Sequence, residues 1–332
     1  MDNNERGSLL RKGRVYVWML GLLAVSVAAL FGVLWLFRTA GADDRAGAGK
    51  ETAARVSLLT DSICQIVSDY PGEIGVAVIM DGKDVVAVND TSIFPMMSVF
   101  KVHQALAVCE DFDRKGMSLD SVMTFRREEL DPNTWSPMLK EHQEPVIRLT
   151  VRELLHYTLT RSDNNASNLM FDRLVSVAQT DSFISTVISR QSFRIAYTEA
   201  EMSADHDKAY SNSTSPLGAA MLMERLFTDS LLSGEKQEFV KKSLGECLTG
   251  KDRIVAPLAD KEGVTVAHKT GSGYTNEKGQ LAAHNDVAYI MLPDGRHYTL
   301  AVFVKDFMGN EEQASLPIAR LSAAVYSFLV ST

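Results

Sequence analysis

Strand-like runs stand near both ends of this chain with a long helical stretch between them, and that layout limits the fold more than any other feature. Ile74-Gly-Val-Ala-Val-Ile79 and Val85-Val-Ala-Val88 flank Asp81-Gly82. Two apolar runs around an Asp-Gly pair signal a hairpin. Val264–Lys269, Ala282–Leu292 and Tyr298–Val304 repeat the strand pattern near the other end, the last two around Asp294-Gly295. From Ser98 to about Val255 the pattern is mostly helical, clearest at Val151–Thr158 and Leu217–Phe227. Val56, Leu59, Ile63, Ile66 and Val67 predict a helix ahead of Pro71, and Ile318, Leu321, Val325, Phe328 and Leu329 an amphipathic closing helix. The economical solution is an α+β fold: one antiparallel sheet from both chain ends, flanked by the terminal helices, with residues 98–255 inserted as a helical middle lobe. A small-molecule cleft belongs between such lobes.

The first fifty residues differ from the rest. Arg6, Arg11, Lys12 and Arg14 precede an uncharged run from Val15 to Phe37. The reading is a basic cytoplasmic segment over 1–14, a transmembrane anchor or signal core over 15–37, a Gly/Ala-rich linker over 38–54 and a folded domain over 55–330. The apolar run is long enough to span, where roughly 18–20 residues are needed. Anchor and cleaved signal, with Ala40-Gly41-Ala42 a small-residue site, both stay open. Either way the basic flank stays inside and the bulk is exported, to the periplasm. A net charge of −8 with no basic stripe after residue 50 argues against a nucleic-acid partner. Three cysteines, Cys64, Cys109 and Cys247, permit at most one internal bridge, and none is expected to be a reactive thiol. No HExxH or HxH pattern is present, so no zinc or other metal cofactor is expected.

Three short motifs carry chemistry. Ser98-Val-Phe-Lys101 opens a helical pattern, which puts Lys101 one turn on, on the face of the Ser98 hydroxyl. A serine becomes a useful nucleophile beside such a base. Ser233-Gly-Glu-Lys236 has the same spacing and reads as a solvated turn. Ser162-Asp-Asn164 follows a helical segment: Ser162 can pass a proton to a leaving nitrogen, Asn164 can hold a substrate amide, and Asp163 braces the loop, although an Asx turn alone accounts for these residue types. Lys269-Thr-Gly271 closes a strand pattern, where a cation and a hydroxyl can grip a carboxylate and Gly271 lets a ligand approach the backbone. The Ser272 and Ser98 N–H groups can form an oxyanion hole.

With Pro95-Met-Met-Ser-Val-Phe-Lys-Val-His-Gln-Ala-Leu106, Thr160-Arg-Ser-Asp-Asn-Asn-Ala-Ser-Asn168 and Ala267-His-Lys-Thr-Gly-Ser-Gly273, the chain resembles class A serine β-lactamases over roughly residues 50–330, and most closely the CfxA-type cephalosporinases of that class. The resemblance implies a fold shared with penicillin-binding proteins and hydrolysis of β-lactams, cephalosporins preferred, through an acyl-enzyme on Ser98, with no metal. It implies a deacylation base in a Glu-x-x-apolar-Asn loop, here Glu199-Ala-Glu-Met202-Ser203, with Glu199 ahead of Glu201 and Ser203 standing where the family has Asn beside the hydrolytic water. Lys101 or Glu199 is then the acylation base. The family's Arg–Asp loop brace is not recognisable around Tyr197. Thr249-Gly-Lys-Asp-Arg253 resembles the stretch that supplies a carboxylate-binding arginine, with a surface ion pair as the alternative for Arg253, and Trp135 resembles an aromatic at the cleft mouth or a loop-packing residue. The expected partner is a β-lactam substrate and the expected state a monomer, with membrane contact only through the N-terminal segment. A DD-peptidase or a β-lactam sensor domain shares the motifs but stays acylated.

Overall fold

The hairpin turn at Asp81-Gly82 forms with both residues in left-handed backbone conformation, φ 48° and 66°, a geometry Asp and Gly tolerate. In the computed structural model, which describes residues 54–331, it joins β1 (Glu73–Met80) to β2 (Asp84–Val88). In chain order, α1 (residues 54–68) comes before this hairpin, and after it come β3 (Phe94–Pro95), α2 (Phe100–Arg114), β4 (Val122–Arg126), α3 (Pro137–Glu141), β5 (Val146–Thr150), α4 (Val151–Thr160) and α5 (Asn164–Arg173). They continue as α6 (Val177–Val187), β6 (Phe193–Arg194), α7 (Glu199–Ala204), β7 (Ser213–Thr214), α8 (Pro216–Thr228) and α9 (Gly234–Gly245). β8 (Thr265–Ser272), β9 (Leu281–Met291), β10 (His297–Phe307) and α10 (Glu311–Val330) complete the chain. The readings made for residues 1–53 lie outside the described residues.

The two chain ends share one antiparallel sheet in the order β2-β1-β10-β9-β8, with Ile74 opposite Val304 and Lys269 opposite Val287. β9 is buried at every position but its last, which an antiparallel sheet achieves only with both faces covered. Alternate residues of β9 show what covers them. His284 Nε2 meets Ser315 Oγ of α10 at 2.8 Å, whereas Tyr289 stacks on Phe227 of α8 at 4.2 Å. So α8, which lies within the stretch read as the helical lobe, packs on the sheet.

α2 is buried on all sides: Phe100, Val102, Leu106, Cys109 and Phe112 are covered, and so are Lys101, His103 and Gln104. A helix covered all round is central to its lobe, so the residues at its N-terminus are held by packing. Two features of the middle depart from the sequence pattern. β4 and β5 pair into a small hairpin, and Ser233-Gly-Glu-Lys236, read as a solvated turn, is the start of α9. Lys236 is buried there because its ammonium reaches Asp113 at 2.8 Å, and Asp113 also accepts Ser233 N–H at 2.7 Å. All three cysteines are free thiols; burial pushes Cys109 up to about 12, so it is inert.

Candidate active site

Ser98 sits in a single 3₁₀ turn, Met97–Val99, that runs into α2. Met97 is left-handed at φ 46°, a conformation that costs a non-glycine residue of order 1 kcal/mol and persists only where the surroundings enforce it. Two long-range clamps do so. Asn285 Nδ2 donates to Pro95 O at 2.7 Å and to Met96 O at 3.2 Å. Gly271 of β8 lies so close that a Cβ there would stand 2.3 Å from Met96 O. The small residue was expected to admit a ligand; the group that fills its space is the Met96 carbonyl.

One helical turn beyond Ser98, the fully buried Lys101 ammonium meets four oxygens within 2.9 Å: Ser98 Oγ at 2.9 Å, Ser162 O at 2.9 Å, Asn164 Oδ1 at 2.6 Å and Glu199 Oε1 at 2.7 Å. An ammonium has three N–H bonds, so four acceptors crowd one donor set. Ser98 Oγ–H in turn reaches Glu199 Oε1 at 3.1 Å. Asn164 is the first residue of α5, and its amide also donates to Thr134 Oγ1 at 2.9 Å. Asp163 caps α5 through Ala166 N–H at 2.9 Å and ties in Met138 N–H at 2.7 Å and Ser136 Oγ at 3.0 Å. Burial lifts its carboxyl above the usual aspartate range against those hydrogen bonds. It is thus the loop brace the sequence suggested. Ser162, just before it, is left-handed at φ 59°, which presents its hydroxyl to the cavity instead of the helix.

Glu199 is the first residue of α7, a helix with a Thr198–Glu201 capping box. Glu201 therefore spends its carboxylate on Thr198 N–H at 2.8 Å and faces solvent, while Glu199 points at Lys101 and Ser98. Ser203, four residues on from Glu199, lines the same cavity. The loop's brace was missed in the sequence. Fully buried Asn212 accepts Ala196 N–H at 2.7 Å and Tyr197 N–H at 2.9 Å through Oδ1, and its amide donates to Tyr197 O at 2.7 Å. Asn168 of α5 adds a bond from Ala200 N–H at 3.2 Å. One side chain thus holds both directions of the loop backbone, where an Arg–Asp pair was sought.

On the opposite wall, β8 is the sheet's edge strand, and the Lys-Thr-Gly triplet lies inside it, not at its end. Lys269 is fully buried; its amine donates to Ser162 Oγ at 3.0 Å and to Thr270 O at 3.0 Å. Burial drives it down from the usual lysine range to about 7, with the Lys101 charge pushing the same way. Thr270 Oγ1 pairs with Thr249 Oγ1 at 2.6 Å. Arg253 makes no surface ion pair: it is buried, and its guanidinium holds Asn285 O at 2.6 Å, Gly271 O at 3.2 Å and Ser272 Oγ at 2.5 Å. It lines the cavity from behind β8. Trp135 lines the cavity, and its indole N–H reaches Arg161 O at 2.9 Å. Ser98, Ser162, Asn164, Glu199, Thr270 and Ser272 thus share one cavity of about 610 Å³, with Lys101 and Lys269 buried behind it.

The family model described as the beta-lactamase enzyme family matches residues 58–329. A beta-lactamase of Phocaeicola vulgatus is 62% identical over 97% of this chain and 98% of its own length. The extended-spectrum beta-lactamase PER-1 of Pseudomonas aeruginosa is 34% identical over 84% of this chain and 89% of its own. Among solved structures, a class A beta-lactamase of Bacteroides cellulosilyticus DSM 14838 superposes with a TM-score of 0.79 at 29% identity, covering 84% of this chain and 99% of the other.

Proposed function

The chain belongs to the beta-lactamase enzyme family, as a class A enzyme that hydrolyses β-lactams, and from that premise we propose that it works through an acyl-enzyme on Ser98 freed by water under Glu199, with cephalosporins preferred. The observation that carries the mechanism is the triangle of Ser98 Oγ, Lys101 Nζ and Glu199 Oε1, with sides of 2.9, 2.7 and 3.1 Å. Nucleophile, cation and carboxylate within hydrogen-bond reach of one another form the activated-serine arrangement.

In acylation the Ser98 proton passes to Glu199, and the Lys101 ammonium steadies the developing alkoxide. The Ser98 oxygen bonds the lactam carbonyl carbon, and the N–H groups of Ser98 and Ser272 receive the oxyanion. As the C–N bond breaks, Ser162 gives its proton to the nitrogen. Lys269, 3.0 Å behind Ser162 and titrating at about 7, restores that proton at neutral pH. Glu199 sends the proton it took from Ser98 through Lys101, 2.7 Å away, and Ser162 to the Lys269 amine, which restores both, and then takes one from water beside Ser203. The hydroxide attacks the ester, and the proton returns to Ser98. Asn164 and Trp135 hold the substrate's acyl side, while Lys269, Thr270 and, behind them, Arg253 hold its carboxylate. The cephalosporin preference rests on the likeness of the three motif segments to class A cephalosporinases. Export to the periplasm, by signal or anchor over 15–37, rests on the basic flank and apolar run of the sequence, and action as a monomer on the one chain's supplying both the cavity lining, from Ser98 and Ser162 to Glu199 and Thr270, and the two lysines buried behind it.

A time course with a chromogenic cephalosporin tests the reading. Many turnovers per protein are expected, with an adduct on Ser98 trapped by Glu199→Gln and seen by peptide mass spectrometry. A single stoichiometric burst in the unaltered protein, or an adduct on another residue, overturns it.

A further inference from the structure

Arg253 lies in the connection between α9 and β8, residues 246–264, which contains neither helix nor strand. Its internal backbone bonds are turn bonds, such as Arg253 N–H to Gly250 O at 3.0 Å and Ala256 N–H to Arg253 O at 3.1 Å. A segment without a ladder of its own takes its place from contacts with the rest of the fold. The guanidinium bonds the neutral oxygens of Asn285, Gly271 and Ser272, and its Nε–H has no partner among the described residues. Those bonds hold the tip of the side chain and leave its root to be held by something else.

Three contacts hold that root. Ser322 of α10 donates to Ile254 O at 2.8 Å, and Asp286 of β9 accepts Ile254 N–H at 3.2 Å. Ser315 of α10 donates to Asp252 Oδ2 at 2.5 Å, a charge-assisted bond that outcompetes Glu311 O at 3.1 Å. The residues on both sides of Arg253 are therefore tied to the closing helix. Ser315 and Ser322 are seven residues apart, on one face of α10, and both are buried. Ser315 is aimed in turn by His284 of β9, whose Nε2 stands 2.8 Å from its hydroxyl. Burial brings His284 down to about 3, with the Arg253 charge pushing the same way, so the ring is neutral and has one N–H to give. Since the Ser315 proton goes to Asp252, that N–H goes to Ser315.

We propose that Ser315 and Ser322 are positioning residues: through Asp252 and Ile254 they fix the backbone from which Arg253 reaches the anionic group of the substrate, so the outer helix sets the strength of the carboxylate grip. The inference rests on the reading of Arg253 as a carboxylate contact. Neither serine lines the cavity, and neither has a part in acyl transfer. A guanidinium binds a carboxylate through a planar fork, so its grip depends on angle as well as distance. Deleting either hydroxyl leaves a buried oxygen without its donor, and the segment shifts to satisfy it. The loss falls on binding of ground and transition states alike, which raises KM and spares kcat.

The test is steady-state kinetics on the full chain with Ser322→Ala, Ser315→Ala and Arg253→Ala, rates being taken per Ser98 that acylates. The substrates are a chromogenic cephalosporin and the methyl ester of its carboxylate. Each serine variant raises KM for the free acid about fivefold, the worth of one neutral hydrogen bond, and leaves kcat within about a factor of two. Arg253→Ala raises KM by about one to two decades. In the Arg253→Ala background the serine substitutions raise KM no further. With the methyl ester, which offers no anion, they leave kcat/KM as it was. Serines that only stabilised the fold would lower the melting temperature and leave KM in place. Should Ser322→Ala not fold, Ser315→Ala makes the same comparison from the other side of Arg253. A normal KM in the serine variants, beside a raised one in Arg253→Ala, overturns the positioning role. So does an equal rise with and without Arg253, or an equal rise for acid and ester. A normal KM in Arg253→Ala overturns the carboxylate reading of Arg253 and the inference with it.

Discussion

Two buried lysines back the same cavity, and their surroundings differ in kind. Lys101, on α2, has the Glu199 carboxylate at 2.7 Å and three further oxygens within 2.9 Å. Lys269, on β8, bonds a hydroxyl and a carbonyl and sits at about 7. A buried cation keeps its charge when a carboxylate answers it and loses it readily when only neutral dipoles do. One lysine is therefore answered by a carboxylate within the resting enzyme. The other is completed as a cation by a substrate that brings its own anion. In the proposed mechanism the α2 side serves bond making at Ser98, and the β8 side serves recognition and the return of the Ser162 proton.

The sharpest way to break this contrast is to remove each amine. Lys101→Ala is expected to lower kcat/KM by on the order of 10⁴, as for a member of a unit acting in concert with its nucleophile. Lys269→Ala should cost roughly one to two decades, the worth of a charge-assisted hydrogen bond of about 1.5–3 kcal/mol. Equal losses in steady-state kinetics would erase the distinction. The carboxylate partner comes next. Glu199→Gln should slow deacylation by about 10²–10⁴, so that acyl-enzyme accumulates in quenched-flow mass spectra, while Glu201→Gln, which disturbs only a helix cap, stays within about threefold and loses about 1 kcal/mol of stability. Accumulation in Glu201→Gln instead would move the base by two residues.

Protonation sharpens the same contrast at smaller scale. Lys269 in the free enzyme is cationic below about 7 and neutral above it. The cationic form is the one that pairs with a substrate carboxylate, so KM should rise with pH through that point, by about tenfold per unit once past it. Lys269→Arg, charged at every working pH, should flatten the profile. A flat profile in the unaltered enzyme would mean that Lys269 does not change charge over the working range. The smallest effect belongs to the loop behind Glu199. Asn212→Ala leaves two N–H groups and a carbonyl without their partner and is expected to cost about 2–3 kcal/mol in denaturant melts, with kcat falling severalfold more than KM changes.

How far the sequence foretold all this depends on the range of the interaction. Residues fixed by local spacing were readable: Lys101 one turn past Ser98, the hairpin at Asp81-Gly82, the terminal helices. Glu199 was separated from Glu201 only by the family pattern, although Thr198-x-x-Glu201 is a capping box visible in the sequence and already assigns Glu201 to the helix end. Asn212 and Asn285 left no local signal, because a buried amide reveals its task only through the backbone it meets, and that backbone is 15 to 190 residues away. The role of Arg253 was hidden for the same reason: its partners Gly271 and Asn285 are on strands that must first pair. The β4–β5 hairpin was overlooked because its strands are short and the apolar Val122 and Val146 stand on its exposed face, which blurs the alternation.

The clamps on the nucleophile turn also set when activity can arise. Met96 is held by Asn285 across 189 residues and by the close approach of Gly271. Contacts of such long sequence separation pay their loop-closure entropy late, and folding that depends on them is slow. On a ribosome, the nucleophile segment emerges long before the strands that shape it. The chain must therefore stay catalytically silent until β8 and β9 are made and docked, and the return of hydrolysis after denaturation reports the last large step of folding, after the helices around α2 have already regained their far-ultraviolet signal.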